Sequence, residues 1–292
     1  MNARGIIMKE DLMAQKISLQ KLIGMALSED IGSGDITTSG VLTGLEKGFA
    51  KVIAKSETMV AGIDVFRETF LYLDSNIGFT AYAEDGSLVK RGEVIAELHG
   101  SLMSILMAER AALNFFQRMC GIATMTRRLA EAIKEYKAKI IHTRKTVPGL
   151  RVLDTYAVRV GGGYCHRFGL FDGALIKENH IEAAGSIAVA VANVRRRIPI
   201  TVKIEVEVEN LGQVAEALAA GADVIMLDNM SIKEMKEAVT LVAGRVPLEA
   251  SGNVTLANVK EVAAAGVDYI SSGALTHSVV AADISLRVEC RD

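Results

Sequence analysis

The sequence predicts an α/β protein in two parts, a small antiparallel sheet domain followed by a parallel (β/α) barrel, and three observations carry that prediction. From about residue 138 onward, short β-branched runs alternate with helical patterns: AKIIHT, GALIK, TVKIEVEVEN, ADVIMLDN, PLEAS and VDYISS. They recur at roughly 20 to 35 residues, the length of a strand–helix unit, and their largely apolar character suits parallel strands covered by helices. Second, LGQVAEALAAGADVI (211–225) repeats as LANVKEVAAAGVDYI (256–270) at an offset of 45, with eight identities in fifteen positions. Each copy reads helix, Gly C-cap, strand, as barrels repeat it. The repeat alone does not exclude a doubly wound sheet. Third, GFAKVIAKSETMVAG and IGFTAYAEDGSLVKRGEVIAELHG read as strands joined by Gly turns such as Glu84-Asp85-Gly86, the pattern of an antiparallel sheet.

The remaining elements follow from periodicity. EDLMAQKISLQKLIGMAL reads as a helix ahead of the first strands. Between the two parts, LMSILMAERAALNFFQRMCGIATMTRRLAEAIKEY places Leu102, Ile105, Leu106, Leu113, Phe116 and Met119 at helical spacing. Gly121 is expected to divide it into two helices, and its Met and Phe stripe to be core or subunit interface. DGSLVKRGEVI has the look of a biotinyl or lipoyl carrier hairpin but lacks a modifiable lysine at the tip, so it is read as packing structure.

Composition narrows the function. The chain has 292 residues, 50% of them apolar, enough for a full core. Lys and Arg total 33 against 35 Asp and Glu, which argues against a surface built for nucleic acid or anionic membrane. Cys120, Cys165 and Cys290 form no metal or disulfide pattern. The N-terminus lacks the apolar core of a signal peptide, and no run reaches transmembrane length. A cytoplasmic protein is expected.

Active groups of a (β/α) barrel gather where its strands end. His142, Thr143, Arg144 and Lys145 follow AKII, ahead of Pro148. His166 and Arg167 lie in a Gly-rich turn and Lys177 ends the next strand. Glu207 and Asp228 end the two after it, and Ser251-Gly252-Asn253 and Ser272-Gly273-Ala274 the last two. Arg144, Lys145, His166, Arg167 and Lys177 make a cationic cluster suited to gripping carboxylates. The small-residue tips suit a phosphate cradle. Glu207 and Asp228 would repel an anion unless they hold sugar hydroxyls or a divalent cation, so phosphorylated ribose with Mg²⁺ meets both demands. Glycoside hydrolysis would explain the two acids but not the cations. An Arg-Lys pair alone is commonly solvated surface, His99 and His277 alone are ordinary hydrogen-bonders, and Gly161-Gly162-Gly163 lacks the rest of a P-loop. Cys165 beside His166 is poorly disposed as a nucleophile–base pair, since adjacent side chains diverge.

The stretches EDIGSGDITT, AERAALNFFQRMCGIAT, HTRKTVPGLR, YAVRVGGGYCHRFGLFDGALIKENHI, EVEVEN, VIMLDNM, LEASGNVTL and DYISSGALTHS resemble, in order and over nearly the whole chain, the quinolinate phosphoribosyltransferase family. The resemblance implies phosphoribosyl transfer from phosphoribosyl pyrophosphate to quinolinate with decarboxylation, in NAD biosynthesis. It implies an N-terminal α/β sandwich over 1–118 and an incomplete (β/α) TIM-like barrel over 119–292, whose last residues can return to the first domain. Arg144, Lys145, His166, Arg167 and Lys177 would line the quinolinate site, with Thr143 beside them. Arg110 would reach into the neighbouring subunit's site of a homodimer, or of a hexamer built from dimers. Glu207 and Asp228 would hold the ribose and Mg²⁺, directly or through water. Ser251, Gly252, Asn253, Ser272, Gly273 and Ala274 would surround the 5′-phosphate. Lys145, Lys177, Glu207 and Asp228 would carry the catalysis. His142, Cys165 and Asn253 depart from the family's usual Asp, Asn and Gly. A related group associated with molybdate-transport operons shares the fold but fits the Lys-Glu-Asn-His stretch less well. Two rivals stand beside this reading: a phosphosugar aldolase using Lys145, Lys177 or Lys203 as a Schiff base, and a non-catalytic anion binder.

Overall fold

The structure is a computed structural model that describes residues 16–289. The N-terminal stretch read for a signal sequence, the start of the first predicted helix, and Cys290 lie outside the described residues. Contacts group the chain into two compact units. One runs to Met125 and takes in Pro148–Gly161 and the segment from Val279 onward; the other is Thr126–Val147 with Gly162–Ser278. The predicted boundary at 118/119 falls inside a continuous helix, Leu102–Ala132.

The first unit is built on an antiparallel sheet of β1 (Lys47–Ala54), β3 (Gly78–Ala81), β5 (Val94–Ser101) and β12 (Ile284–Glu289), in the order β12-β1-β5-β3. β2 (Thr58–Met59) and β4 (Leu88–Val89) pair separately. Helices α1 (Lys16–Ile31), α2 (Ile36–Val41), α3 (Ile63–Leu73), α4 (Leu102–Ala132) and α5 (Arg151–Val160) complete the order. Phe66 is central to the core, with ring centroids 4.9 Å from Phe116 and 5.1 Å from Phe70. The Glu84-Asp85-Gly86 turn does more than reverse the chain. Asp85 accepts from the backbone N–H groups of Gly62 and Ile63, both at 2.9 Å, where α3 begins, and from the Tyr156 hydroxyl at 2.6 Å. A remote carboxylate thus satisfies donors that a helix start leaves open.

Gly121 does not divide α4, contrary to expectation. A Cβ there would lie 2.2 Å from the Val280 carbonyl oxygen, so the glycine admits a backbone segment against an unbroken helix.

The second unit holds six parallel strands: β6 (Lys139–Ile141), β7 (Ala174–Ile176), β8 (Ile204–Val208), β9 (Val224–Asp228), β10 (Leu248–Ser251) and β11 (Tyr269–Ser271), ordered β6-β11-β10-β9-β8-β7. Successive strands are neighbours from β7 to β11, and β6 pairs with the last of them. That is the cyclic order of a barrel rather than the reversal of a doubly wound sheet. The barrel is incomplete, because no ladder joins β6 to β7; Tyr164 makes a single bridge to Ile141. Helices α6 (Glu178–Ala184), α7 (Ile187–Arg195), α8 (Leu211–Ala219), α9 (Ile232–Val242), α10 (Val259–Ala264) and α11 (Ala274–His277) follow the strands.

The internal repeat acquires a physical reason. Gly221 and Gly266 take φ of +80° and +97° behind α8 and α10, conformations that favour glycine. The repeated Asp223 and Asp268 accept from the backbone N–H of Ile204 (2.7 Å) and Leu248 (2.9 Å), the first residue of the preceding strand. Each aspartate therefore ties its strand to the one before it.

Candidate active site

Side chains alternate across each barrel strand. Ile140, Ile176, Val206, Ile225, Leu227, Leu248, Ala250 and Ile270 are buried on one face. The other face presents Leu175, Glu207, Met226, Asp228, Glu249, Ser251 and Ser271 to a pocket of about 480 Å³. Thr143, Arg144, Lys145, His166, Arg167, Lys177, Asn229, Gly252 and Asn253 complete its lining, and the size suits a small ligand.

The cations come from consecutive strand ends and are braced from behind. Thr276 Oγ1 donates to the Lys145 carbonyl at 2.8 Å, and the Lys145 N–H donates to Thr143 Oγ1 at 3.1 Å. Arg167 Nη1 donates to the Gly173 carbonyl at 3.2 Å. Burial, then the neighbouring Arg144 charge, lowers the Arg167 pKa; both arginines line the same pocket, a pair suited to a multiply charged anion. Lys177 is ion-paired with Glu207. Burial raises the Glu207 pKa against the pull of Lys177, and Asp228 adds to the rise.

A second group centres on His166. His166 Nε2 is 2.9 Å from Glu205 Oε2 and 3.4 Å from Glu249 Oε2, and its Nδ1 accepts the Arg167 N–H at 2.6 Å. Burial opposes a charge on His166, but the two carboxylates outweigh it and raise the ring's pKa to about 10. Burial also raises Glu249, to about 7, against the pull of His166. Groups this close share their protons. With Nδ1 occupied by the Arg167 N–H, a ring proton belongs on Nε2, between the two carboxylates.

The turn after β10 is tightly built. Asn229 takes φ +52° and Asn253 φ +49°. Asn229 donates through Nδ2 to Asp228 Oδ2 at 2.8 Å, and through its backbone N–H to the Ser251 carbonyl at 2.9 Å. A Cβ on Gly252, at φ +106°, would lie 2.2 Å from Asn229 Oδ1, so only glycine fits.

Comparison with known proteins now decides the family. Residues 35–120 match the quinolinate phosphoribosyl transferase N-terminal domain, and residues 122–287 its C-terminal domain. The chain belongs to the quinolinate phosphoribosyltransferase family. A probable nicotinate-nucleotide pyrophosphorylase [carboxylating] of Bacillus subtilis is 46% identical, over 93% of this chain and 94% of that one. The crystal structure of NadC from Streptococcus pyogenes superposes with a TM-score of 0.90 at 40% identity, covering 94% of this chain and 98% of that one. The nicotinate-nucleotide pyrophosphorylase of Francisella tularensis gives 0.89 at 43%, covering 93% and 96%.

Of the residues that the family resemblance nominated, the pocket gathers Thr143, Arg144, Lys145, His166, Arg167, Lys177, Glu207, Asp228, Ser251, Gly252 and Asn253. Ser272, Gly273 and Ala274 are not among its lining. Ser272 is buried, its hydroxyl donating to the Val254 carbonyl at 3.3 Å, and Gly273 abuts Lys145 and His277. Arg110 is exposed on α4, in the first unit. His142 is buried, and Lys203, a Schiff-base candidate of the aldolase rival, is exposed ahead of β8, away from the strand tips. Leu175, Met226, Asn229, Glu249 and Ser271 line the pocket without having been nominated. Period-two alternation back from Glu207 and Ser251 reaches Glu205 and Glu249, a signal that was present in the sequence.

Among the described residues, the metal-ligand grouping of three or more side chains is His166, Glu205 and Glu249 rather than one built on Glu207 and Asp228. Cys120 and Cys165 are not in disulfides, and no described helix is long and apolar enough to cross a membrane.

Proposed function

We propose that this chain transfers the phosphoribosyl group of phosphoribosyl pyrophosphate to quinolinate with loss of CO₂, giving nicotinate mononucleotide and pyrophosphate. The observation that carries the reading is the convergence of Arg144, Lys145, Arg167 and Lys177 with the Glu207–Asp228 pair on one pocket, in a chain of this family. Arg144 and Arg167 grip the two ring carboxylates, with Lys145 and Lys177 beside them. The ring nitrogen attacks the anomeric carbon as pyrophosphate leaves, and Glu207 and Asp228 offset the cationic ribosyl centre. Loss of the 2-carboxylate as CO₂ leaves an electron pair on ring carbon 2, beside the cationic nitrogen, which the fixed cations stabilise until that carbon takes a proton from water to give the product. No side-chain nucleophile is needed.

The donor set fits Mg²⁺, since Asp228, Asn229 and Ser251 offer hard oxygens in a polar pocket. Glu207 is engaged by Lys177, so Asp228 is the better placed carboxylate, directly or through water. When bound with the substrate, Mg²⁺ supplies neutralisation of the leaving pyrophosphate. Ser251, Gly252 and Asn253 offer polar atoms to the 5′-phosphate, and we extend that region to Ser272, Gly273 and Ala274 at the next strand tip. A homodimer, alone or assembled into a hexamer, lets Arg110 enter the partner's site. A cytoplasmic location suits the reduced state of Cys120 and Cys165.

The deciding assay is pyrophosphate release from quinolinate plus phosphoribosyl pyrophosphate, with nicotinate as control. Turnover with quinolinate alone is expected, and its absence overturns the reading.

A further inference from the structure

Two carboxylates, Glu249 in the pocket lining and Glu205 two residues before Glu207, have no part in the chemistry above. Glu205 comes from β8 and Glu249 from β10, strands separated by β9, yet both converge on Nε2 of one imidazole at 2.9 and 3.4 Å. Their side chains are only 9% and 2% exposed. Buried acids beneath a site that must attract an anion oppose its task, and such groups are tolerated where they are paired. Their partner is His166, and the other edge of that ring is taken by the Arg167 N–H at 2.6 Å. Both ring nitrogens are therefore spent inside the protein rather than offered to a ligand.

What the arrangement fixes is the next residue. The Arg167 backbone is bound to the ring, the ring to two strands, and the Arg167 side chain lies along Gly173, whose carbonyl receives Nη1 at 3.2 Å. A Cβ on Gly173 would come within 3.1 Å of Arg167 Cβ. Arg167 thus lies inside the glycine-rich loop GGGYCHRFGLFDG, and the contacts that tie its neighbour His166 to the barrel from outside that loop are the Glu205 and Glu249 carboxylates.

We propose that Glu205 and Glu249 are positioning residues that act through His166 to set the Arg167 guanidinium for the substrate's carboxylates. The inference rests on the reading that the pocket takes quinolinate. His166 becomes the link between two barrel strands and the binding arginine, not itself a cation held out to the substrate.

The test is a double-mutant cycle of Glu249→Ala and Arg167→Ala, with quinolinate KM, phosphoribosyl pyrophosphate KM and kcat measured for each variant. Glu249→Ala is expected to raise the quinolinate KM about 10-fold or more, with kcat and the other KM within about 2-fold. It should add little once Arg167 is gone, since residues acting as one unit are not additive. Glu249→Gln, whose amide oxygen can still accept the Nε2 proton, should recover most of the loss. Full additivity in the cycle, or a fall in kcat at unchanged quinolinate KM, overturns the proposal. If Glu249→Ala fails to fold, the cycle is run with Glu205→Ala, which removes the other carboxylate from Nε2, under the same criteria. The wild-type assay comes first: no turnover there refutes the functional reading itself, whereas an active wild type with an additive cycle refutes only the positioning role.

Discussion

The ammonium of Lys177, at the tip of β7, is ion-paired with the carboxylate of Glu207 on the adjacent strand β8. A negative neighbour, Asp228, stands on the far side of Glu207 and burial adds to the strain on its charge. Lys177→Met leaves two carboxylates without their nearest cation in a site for anions. It is expected to lower kcat/KM by about 100-fold or more, and Glu207→Gln by a similar factor. The double variant should lose less than the product of the two. Steady-state kinetics on the three proteins decides it, and strict multiplication of the losses refutes a functional pair.

Arg144 and Arg167 stand close enough for one to lower the other's pKa. Mutual repulsion of this kind is relieved when a dianion enters. Arg144→Ala or Arg167→Ala should each weaken quinolinate binding by about 10- to 100-fold, the range of one charge-assisted hydrogen-bond pair. Titration calorimetry on the folded variants measures it. Unchanged affinity in either one removes that arginine from the site.

Much of this site could be read from the chain because strand tips are a local property. HTRKT, Lys177 and the Leu227-Asp228-Asn229 stretch follow their strands directly, so knowing where a strand ends places them in the pocket. Glu205 and Glu249 were harder. Their meaning depends on two non-adjacent strands meeting a histidine from a loop, a relationship that no single stretch carries. Gly121 was misread for the same reason, since its need for space comes from Val280, far along the chain. Asp85 looked like a turn residue, and only the fold brings it to the start of α3 and to Tyr156. The repeat was visible at once, but the role of its aspartates required the strand order.

Asp85 gives a stability prediction with a definite sign. Removing it by Asp85→Ala orphans the N–H groups of Gly62 and Ile63 and the Tyr156 hydroxyl, a loss expected to cost about 2 to 4 kcal/mol. Burial raises its pKa from the ordinary 3.8, against the hydrogen bonds that favour the anion. The folded state therefore takes up the proton more readily than the unfolded chain. The contribution from this shift is full below the unfolded value of 3.8 and is lost as pH rises through the folded one. Relative to Asp85→Asn, wild type should gain stability as pH falls toward that value. Denaturant melts of both proteins across the range test this, and a gap that narrows on acidification contradicts it.

Gly121→Ala separates helix propensity from packing. In an open helix the change would gain about 1 kcal/mol. Here the new Cβ would meet the Val280 carbonyl oxygen at 2.2 Å, a backbone atom with no rotamer to yield. Overpacking of about 1 to 3 kcal/mol should prevail, so the variant is expected to melt below wild type. A higher melting temperature would show that the Val279–Ala282 segment moves away at little cost.

Arg110 is exposed on α4 and absent from the residues that line the pocket. If a second copy supplies it, Arg110→Ala and Lys177→Ala proteins are each inactive, but a mixed dimer contains one site with both residues intact. Random exchange of equal amounts yields one half mixed dimers, each with one of two sites working, so recovery should approach about one quarter of wild-type activity for a symmetric dimer. The measurement is pyrophosphate release after subunit exchange, with heterodimer formation verified by differential tagging. Verified heterodimers without recovery would mean that Arg110 serves no partner's site, and full activity of Arg110→Ala alone would mean that it serves none at all.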